Sequence, residues 1–426
     1  MSQTATPQAA PAPAPAVPAP ATPSAPAAQG EPDAALVNTP ALLNRWQLIG
    51  MSAAILFGIL SALVQLLGWE SDARAAEDTR QLVRVQEIQS SLLRADALAT
   101  NAFLVGGAES EQGTDYDDEL VEVLRLITDA ADAQPADRAV LAELNVAVNA
   151  YATAVAQARD YNRLGFPVGA EYLSGASDAL RADAIPILKA LVETNTDRAK
   201  GAMNGQHPVW LLLIGVVALT VLVWINQQQA RVFRRRINKG IAVAAVIVLA
   251  VTLVGVVGAW IRDSSNDSLR DGDLALAIDQ ANARTSANDA KANESLALIK
   301  RGSGAKFEVS WKEAAVDVEE SLRRDTADTW NAYVAQHEKI VALDEGGDWE
   351  AARDLATAAE GGSTEPLESF NAASEQIVGS AQKTVTSGLE SWRALALGVS
   401  LLSLLLGVVA AAAVARGIGE RRREFS

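Results

Sequence analysis

The sequence predicts an all-α membrane protein in which four transmembrane helices carry two extracytoplasmic four-helix bundles in tandem. Three observations predict it. Four long stretches contain no charged residue, the segments between them repeat apolar residues at spacings of three and four, and the two longest of those segments match in length and charge. A composition of 49% hydrophobic, 5% aromatic and 21% charged residues is too apolar for a disordered chain and too charged for a membrane core alone. Charged and apolar residues must therefore be segregated along the chain.

The uncharged stretches are residues 46–69, 201–230, 240–261 and 394–415. Each exceeds or approaches the roughly 20 apolar residues that cross a hydrocarbon layer as a helix. Pro208, tolerated in the first turn of a helix, marks where the second span begins. Trp46, Trp69, Trp210, Trp224, Trp260 and Trp392 lie at or near the span ends, where amphipathic rings settle at headgroup level. Basic residues set the orientation: Arg45 precedes the first span, Arg231, Arg234, Arg235, Arg236 and Lys239 fill the link between the second and third, and Arg416, Arg421, Arg422 and Arg423 follow the fourth. By the positive-inside rule these segments face the cytoplasm of a cell-membrane protein.

The expected organisation is a disordered Pro/Ala-rich cytoplasmic tail (1–40), transmembrane helices at 47–69, 208–226, 241–261 and 394–415, extracytoplasmic bundles at 70–207 and 262–393, a basic cytoplasmic loop at 227–240 and a basic cytoplasmic tail at 416–426. The two bundles hold 23 acidic against 12 basic and 25 acidic against 14 basic residues, a net -11 each. Local matches make them a duplication: Asn149-Ala150-Tyr151 recurs as Asn331-Ala332-Tyr333, Gly165 pairs with Gly347, and Asn101 and Leu104 pair with Asn293 and Leu296.

In the first bundle Leu82, Val85, Ile88, Leu92, Ala95, Ala99 and Ala102 form one helical stripe that Gly106 and Gly107 end. Tyr116 to Ile127 and Val140 to Val155 mark a second and a third helix, and after Gly165 and Pro167 a fourth runs towards the second span. The second bundle repeats the plan, with helices two and three nearly continuous and a fourth running from Trp349 through Leu367, Phe370 and Val385 into the last span. Asp348 is placed to cap that fourth helix. Pro186 and Pro366 are expected to kink the fourth helices.

The stretch Ala342 to Ala352, with its Gly346-Gly347-Asp348-Trp349 junction, followed by Pro366, resembles the third-to-fourth helix junction of four-helix-bundle sensor domains of bacterial chemoreceptors. Val85 to Gly107 resembles the first helix of the same domains. Unlike those receptors, the chain has only residues 226–240 and 416–426 to offer a cytoplasmic relay, so a signal would pass through a separate partner. The whole layout is similar to the GlnX membrane proteins of actinobacteria. That resemblance implies amino-acid sensing through an extracytoplasmic amino-acid-binding lipoprotein, GlnH, and output through a cytosolic Ser/Thr kinase, PknG. The other reading is a structural or scaffold protein of the cell envelope.

The net charge of -16 argues against nucleic-acid partners. With no cysteine and only His207 and His337 for imidazole, neither an enzyme nor a metal or other cofactor is expected. Arg231, Arg234, Arg235, Arg236 and Lys239 are candidates for contact with a cytoplasmic partner or with anionic lipid, where each charge contributes about 1 kcal/mol. Arg94 and Arg138 are weaker candidates for a ligand carboxylate, against the plainer reading of solvated or paired arginines. Asp115, Asp117, Asp118 and Glu119 read as a solvated helix start, lacking the glycine and closing glutamate of a calcium loop.

Overall fold

A computed structural model describes residues 39–106, 111–233 and 238–423. The tail at 1–38 and the residues Arg234, Arg235 and Arg236 lie outside the described residues. Within them the chain forms thirteen α-helices: α1 (Thr39–Val105), α2 (Glu111–Ala133), α3 (Arg138–Arg163), α4 (Val168–Ala179), α5 (Ile185–Met203), α6 (Pro208–Phe233), α7 (Lys239–Leu269), α8 (Ala275–Ile299), α9 (Ala305–Ser321), α10 (Arg324–Glu345), α11 (Trp349–Thr357), α12 (Thr364–Ser391) and α13 (Arg393–Arg423). Five helical stretches are long and apolar enough to cross a membrane: Ala41–Val105, Pro135–Arg163, Val168–Val232, Lys239–Ile299 and Thr364–Glu420. Several apolar helices of this kind mark a multi-pass membrane protein.

The molecule has an apolar half and a polar half. In the apolar half the first part of α1, α6, the first part of α7 and all of α13 close around Phe57, Leu222, Val248 and Val414. Leu56, Leu60, Val246, Leu401 and Leu405 point outward from it and are exposed. Packing here uses small residues, because only they let backbones approach closely. A Cβ on Gly58 would lie 2.9 Å from the Cα of Gly407, and one on Gly240 would lie 2.6 Å from the Cα of Gly417.

The polar half contains two bundles side by side. The first is built from the rest of α1 with α2, α3, α4 and α5 around Ile88, Leu92, Leu144, Tyr151 and Leu188. Its α3 belongs to the apolar stretch Pro135–Arg163, yet Leu141, Leu144, Val148, Tyr151 and Val155 are buried in this core. The second bundle is built from α8 to α12 around Trp311, Trp330, Tyr333 and Phe370. At the base, Ala75 and Leu82 of α1, Met203 of α5, Leu274 and Val385 share a single cluster, so the two bundles are joined there.

Helices end where the sequence supplies a left-handed residue. Gly106, Gly165 and Gly347 have φ of 98°, 72° and 85°, conformations that cost glycine nothing. After Gly165 and Gly347 the chain closes in the same way, with Phe166 N–H donating to Tyr161 O and Asp348 N–H to Leu343 O, both at 2.9 Å. Asp348 caps α11 by accepting from the amide of Ala351.

Four expectations need correction. The fourth helix of the second bundle is two helices, because Gly361 takes φ 71° and the chain turns between Thr357 and Thr364. Pro366 therefore sits in the first turn of α12, where its missing N–H costs nothing, instead of kinking a helix. Helices α9 and α10 are separate, broken at Leu322 and Arg323, both extended. The fourth helix of the first bundle stops at Met203, and residues 204–207 turn before α6 begins at Pro208. A π-helical turn at Leu180–Ala184 precedes Pro186, which sits in the first turn of α5. A second π-helical turn, Arg270–Leu274, joins α7 to α8. Among the described residues only α1 crosses from the apolar to the polar half with no irregularity.

Candidate functional site at the seam between the two polar bundles

The two bundles meet along α1 and α8. The facing register runs from Val83 against Ala281 at one end to Leu104 against Leu298 at the other. Between those apolar ends many of the buried residues are polar: Gln86, Ser90 and Asn101 on α1, and Arg284, Asn288 and Ser295 on α8, with Ala97 and Ala292 among them. Both amide atoms of Gln86, the hydroxyls of Ser90 and Ser295, Oδ1 of Asn101 and Nε of Arg284 are buried without a hydrogen-bond partner. Each such orphan costs on the order of 1–3 kcal/mol. A seam selected only for stability would be apolar.

Ion pairs cross the seam along its length. Arg80 of α1 pairs with Glu390 of α12. Glu87 meets Arg284 at 2.9 Å, Arg94 meets Glu368 at 2.9 Å, and Glu171 of α4 meets Lys300 at 2.7 Å. A further crossing is centred on Arg181, in the π-helical turn of the first bundle. Its guanidinium contacts Asp96 of the same bundle at 2.8 Å and Asp289 of the other at 2.5 Å. Burial works against a charged Arg181, but Asp96 and Asp289 outweigh it and raise its pKa further. Asp96 is fully buried and also accepts from Ser177 at 2.6 Å and from Tyr151 at 3.1 Å. Burial and the neighbouring Asp96 push the Tyr151 phenol well above its usual range, which keeps it a neutral donor.

Two clefts flank the seam. One, about 420 Å³, lies between α5 and the α8–α9 pair and is lined by Gln89, Arg181, Lys189, Asp289 and Asp317. The other, about 470 Å³, lies between α1, α2 and the start of α12 and is lined by Arg94, Asn101, Asp118, Glu119 and Glu368. Both are mixed in charge, as clefts that rim a polar seam should be.

At the boundary between the halves a second polar node ties three helices together. Asp72 of α1, 2% exposed, stands 3.7 Å from Arg262 of α7 and accepts from Asn266 of α7 at 3.0 Å and from Gln206 at 2.9 Å. Gln206 belongs to the turn between α5 and α6, and Ser71 donates to Ala202 O at 2.7 Å beside it. Asp72 thereby links α1 to α7 and to the turn that leads into α6.

The residues singled out in the sequence fare unequally. Arg94 lines one cleft but is already paired with Glu119 at 3.4 Å and Glu368 at 2.9 Å. Arg138 sits at the other end of the first bundle, exposed, with its Nε donating to Ala131 O at 2.9 Å. They are not brought together, so they do not form one carboxylate clamp. Glu119 is not solvated as expected: burial raises its pKa, with Arg94 opposing. Arg231 and Lys239 are exposed at the far end of the apolar half. Sequence reasoning missed Asp96, Arg181 and Asp289. The signal was present, since Asp96 lies between Leu92 and Ala99 in the apolar stripe, where an unpaired charge would be intolerable. Among the described residues no group of three or more His, Cys, Asp and Glu is placed to hold a metal ion.

Residues 71–204 match the family of the actinobacterial sensor domain. The match covers the whole of the first polar bundle and stops at the turn before α6. It supports a sensory role and a sensor protein of actinobacterial kind. Residues 186–265 match a second family, phosphoethanolamine transferase EptA/EptB. That stretch consists of α5, α6 and most of α7, and it holds neither Asp96 nor Asp289. No curated protein matches, and no solved structure matches.

Proposed function

We propose that this protein is a transmembrane signal transducer whose moving part is the polar seam between α1 and α8. The observation that carries the reading is the set of buried, unpartnered polar groups along that seam. An interface that leaves such groups unpaired in one packing can gain by a shift of register, so two packings lie close in free energy. A ligand or partner that prefers one of them moves the balance by its differential affinity. Coupling of 1–3 kcal/mol is typical of such systems.

In this reading four helices cross the cell membrane, at 47–69, 208–226, 241–261 and 394–415. The two bundles are tandem copies outside, and both termini and the loop carrying Arg231 to Lys239 are inside. The uncharged windows, the tryptophans at their ends and the basic residues on one side support this topology. The amphipathic α3 then stays in the first bundle. The resemblance to GlnX proteins adds the identity of the partners: an extracytoplasmic amino-acid-binding lipoprotein at the bundles and a cytosolic Ser/Thr kinase at the basic loop.

Topology is tested by single cysteines in this cysteine-free chain. A cysteine at Ser303 should react with an impermeant reagent in intact cells and one at Ala230 only after permeabilisation; the opposite pattern overturns the arrangement. Function is tested by deletion. Phosphorylation of the kinase's substrate should stop responding to added aspartate or glutamate, and an unchanged response would favour the scaffold reading.

A further inference from the structure

The cleft between α5 and the α8–α9 pair has walls from different bundles, with Ile185 and Lys189 on one side and Ser286, Asp317 and Glu320 on the other. Its volume of about 420 Å³ falls within the roughly 300–1,000 Å³ usual for small-molecule sites. At one point the walls are tied directly, by Arg181 and Asp289 at 2.5 Å. Lys189 follows Arg181 by eight residues, about 12 Å along the helix, and stands clear of that tie. There the walls carry opposite charge without touching: Lys189, Asp317 and Glu320 form no ion pair among the described residues.

Gln89 of α1, in the floor of the cleft, distinguishes it from a plain gap between charged surfaces. The residue is only 7% exposed, yet its amide forms no hydrogen bond with the chain among the described residues. Gln86, one helical turn earlier, is also unpartnered, but both of its amide atoms are sealed from solvent. Those of Gln89 are not sealed, and the surface they keep faces the cleft. A primary amide presents an NH₂ donor and a carbonyl acceptor, the complement of the N–H and C=O of a peptide unit. Charge on the walls narrows the ligand further. A simple cation would face Lys189 unpaired, and a simple anion would face Asp317 and Glu320; a molecule charged at both ends leaves neither wall without a partner.

We propose that this cleft binds a short peptide with both ends free. The terminal ammonium meets Asp317 and Glu320, the carboxylate meets Lys189, and the peptide group pairs with the amide of Gln89. Each end is held by a different bundle, so an occupied cleft draws the two together. That occupancy biases the seam rests on the transducer reading; the binding itself does not.

Glycylglycine is the probe, titrated onto the full-length protein in lipid nanodiscs and followed by saturation-transfer NMR. Three analogues each lack one feature: N-acetylglycine the ammonium, glycine N-methylamide the carboxylate and 5-aminopentanoate the peptide group. Each should bind at least about tenfold more weakly. Lys189→Gln should weaken glycylglycine by about tenfold and leave glycine N-methylamide unchanged, while Asp317→Asn with Glu320→Gln should weaken it as much and leave N-acetylglycine unchanged. Gln89→Leu should bring glycylglycine down to the affinity of 5-aminopentanoate. Lys189, Asp317 and Glu320 are exposed, so their variants should keep the native melting temperature. The proposal is overturned if glycylglycine does not bind up to about 10 mM, if 5-aminopentanoate binds as well, or if the charge variants bind glycylglycine as the native chain does. Bound glycylglycine should also shift the distance between spin labels at Ala179 and Val316, which lie on different bundles. Binding with that distance unmoved would leave the site standing and sink the switching seam.

Discussion

Replacing Asp96 by alanine should be among the most damaging single changes available in the first bundle. Asp96 is fully buried and accepts from Tyr151, Ser177 and Arg181. Its loss strands two buried hydroxyls and leaves the guanidinium, which is only 24% exposed, to depend on Asp289 alone. Breaking a buried pair from one side costs about 3–5 kcal/mol. For a unit of this size each kcal/mol lowers the melting temperature by roughly 2–4 °C, so the first bundle should melt on the order of 6–20 °C lower. Arg181→Met should cost a similar amount, because it leaves Asp96 buried with hydroxyl donors only. The double variant should be milder than the sum of the singles by about 1–3 kcal/mol, since each change removes the same interaction. The assay is thermal unfolding of the full chain in nanodiscs, with hydrogen exchange of α1, α3 and α4 to place the transition. Strict additivity, or an Asp96→Ala loss under about 1 kcal/mol, would refute the claim that this cluster anchors the seam.

The second bundle should respond to pH through His337. Its folded pKa is raised, so the stability it contributes is fully present below the ordinary histidine value and fades as pH rises through the raised one. His337→Gln should flatten that alkaline decline in melting temperature. Glu294 behaves oppositely: burial opposes its charge, but Lys291 and His337 outweigh it and hold the carboxyl at about 2. Its contribution is fully present above the usual glutamate value and is lost as pH falls from there through about 2, so thermal scans across that acid window should show a falling melting temperature that Glu294→Gln flattens. In the apolar half, Gly58→Leu should separate α1 from α13, because even a Cβ would lie 2.9 Å from Gly407 Cα. Crosslinking between cysteines placed on these two helices should fall sharply, while Gly398→Leu, where a Cβ meets nothing within 4 Å, should leave it unchanged.

Much of the fold was legible because its signals are local. Uncharged runs, the 3.6-residue stripe of α1 and the glycine stops at Gly106, Gly165 and Gly347 depend on neighbours in sequence. The break before α12 was missed although Gly361 and Gly362 stand in the sequence, because an amphipathic pattern on both sides masked it. The π-helical turn at Arg270–Leu274 has no such mark, as it contains no proline. The site was hidden for a different reason. Arg181, Asp96 and Asp289 come from three helices, separated by 85 and 108 positions from the arginine, and composition cannot say which acid finds which base. Arg94 and Arg138 were singled out for their guanidinium chemistry alone, and tertiary packing gave each a partner inside the chain.

Spin labels offer the most direct view of whether the seam moves and whether the apolar half follows. One pair of cysteines, at the exposed Ala179 of α4 and Val316 of α9, reads the separation of the bundles; a second, at the exposed Arg231 and Arg416, reads the far ends of α6 and α13. Two distances are expected for the first pair. Gln86→Leu with Ser90→Ala, which removes three of the unpartnered groups, should collapse them to one and shift the second pair in the same sample. A single distance across the bundles that these substitutions leave unchanged, or a change there with none between Arg231 and Arg416, would contradict a seam that switches and transmits.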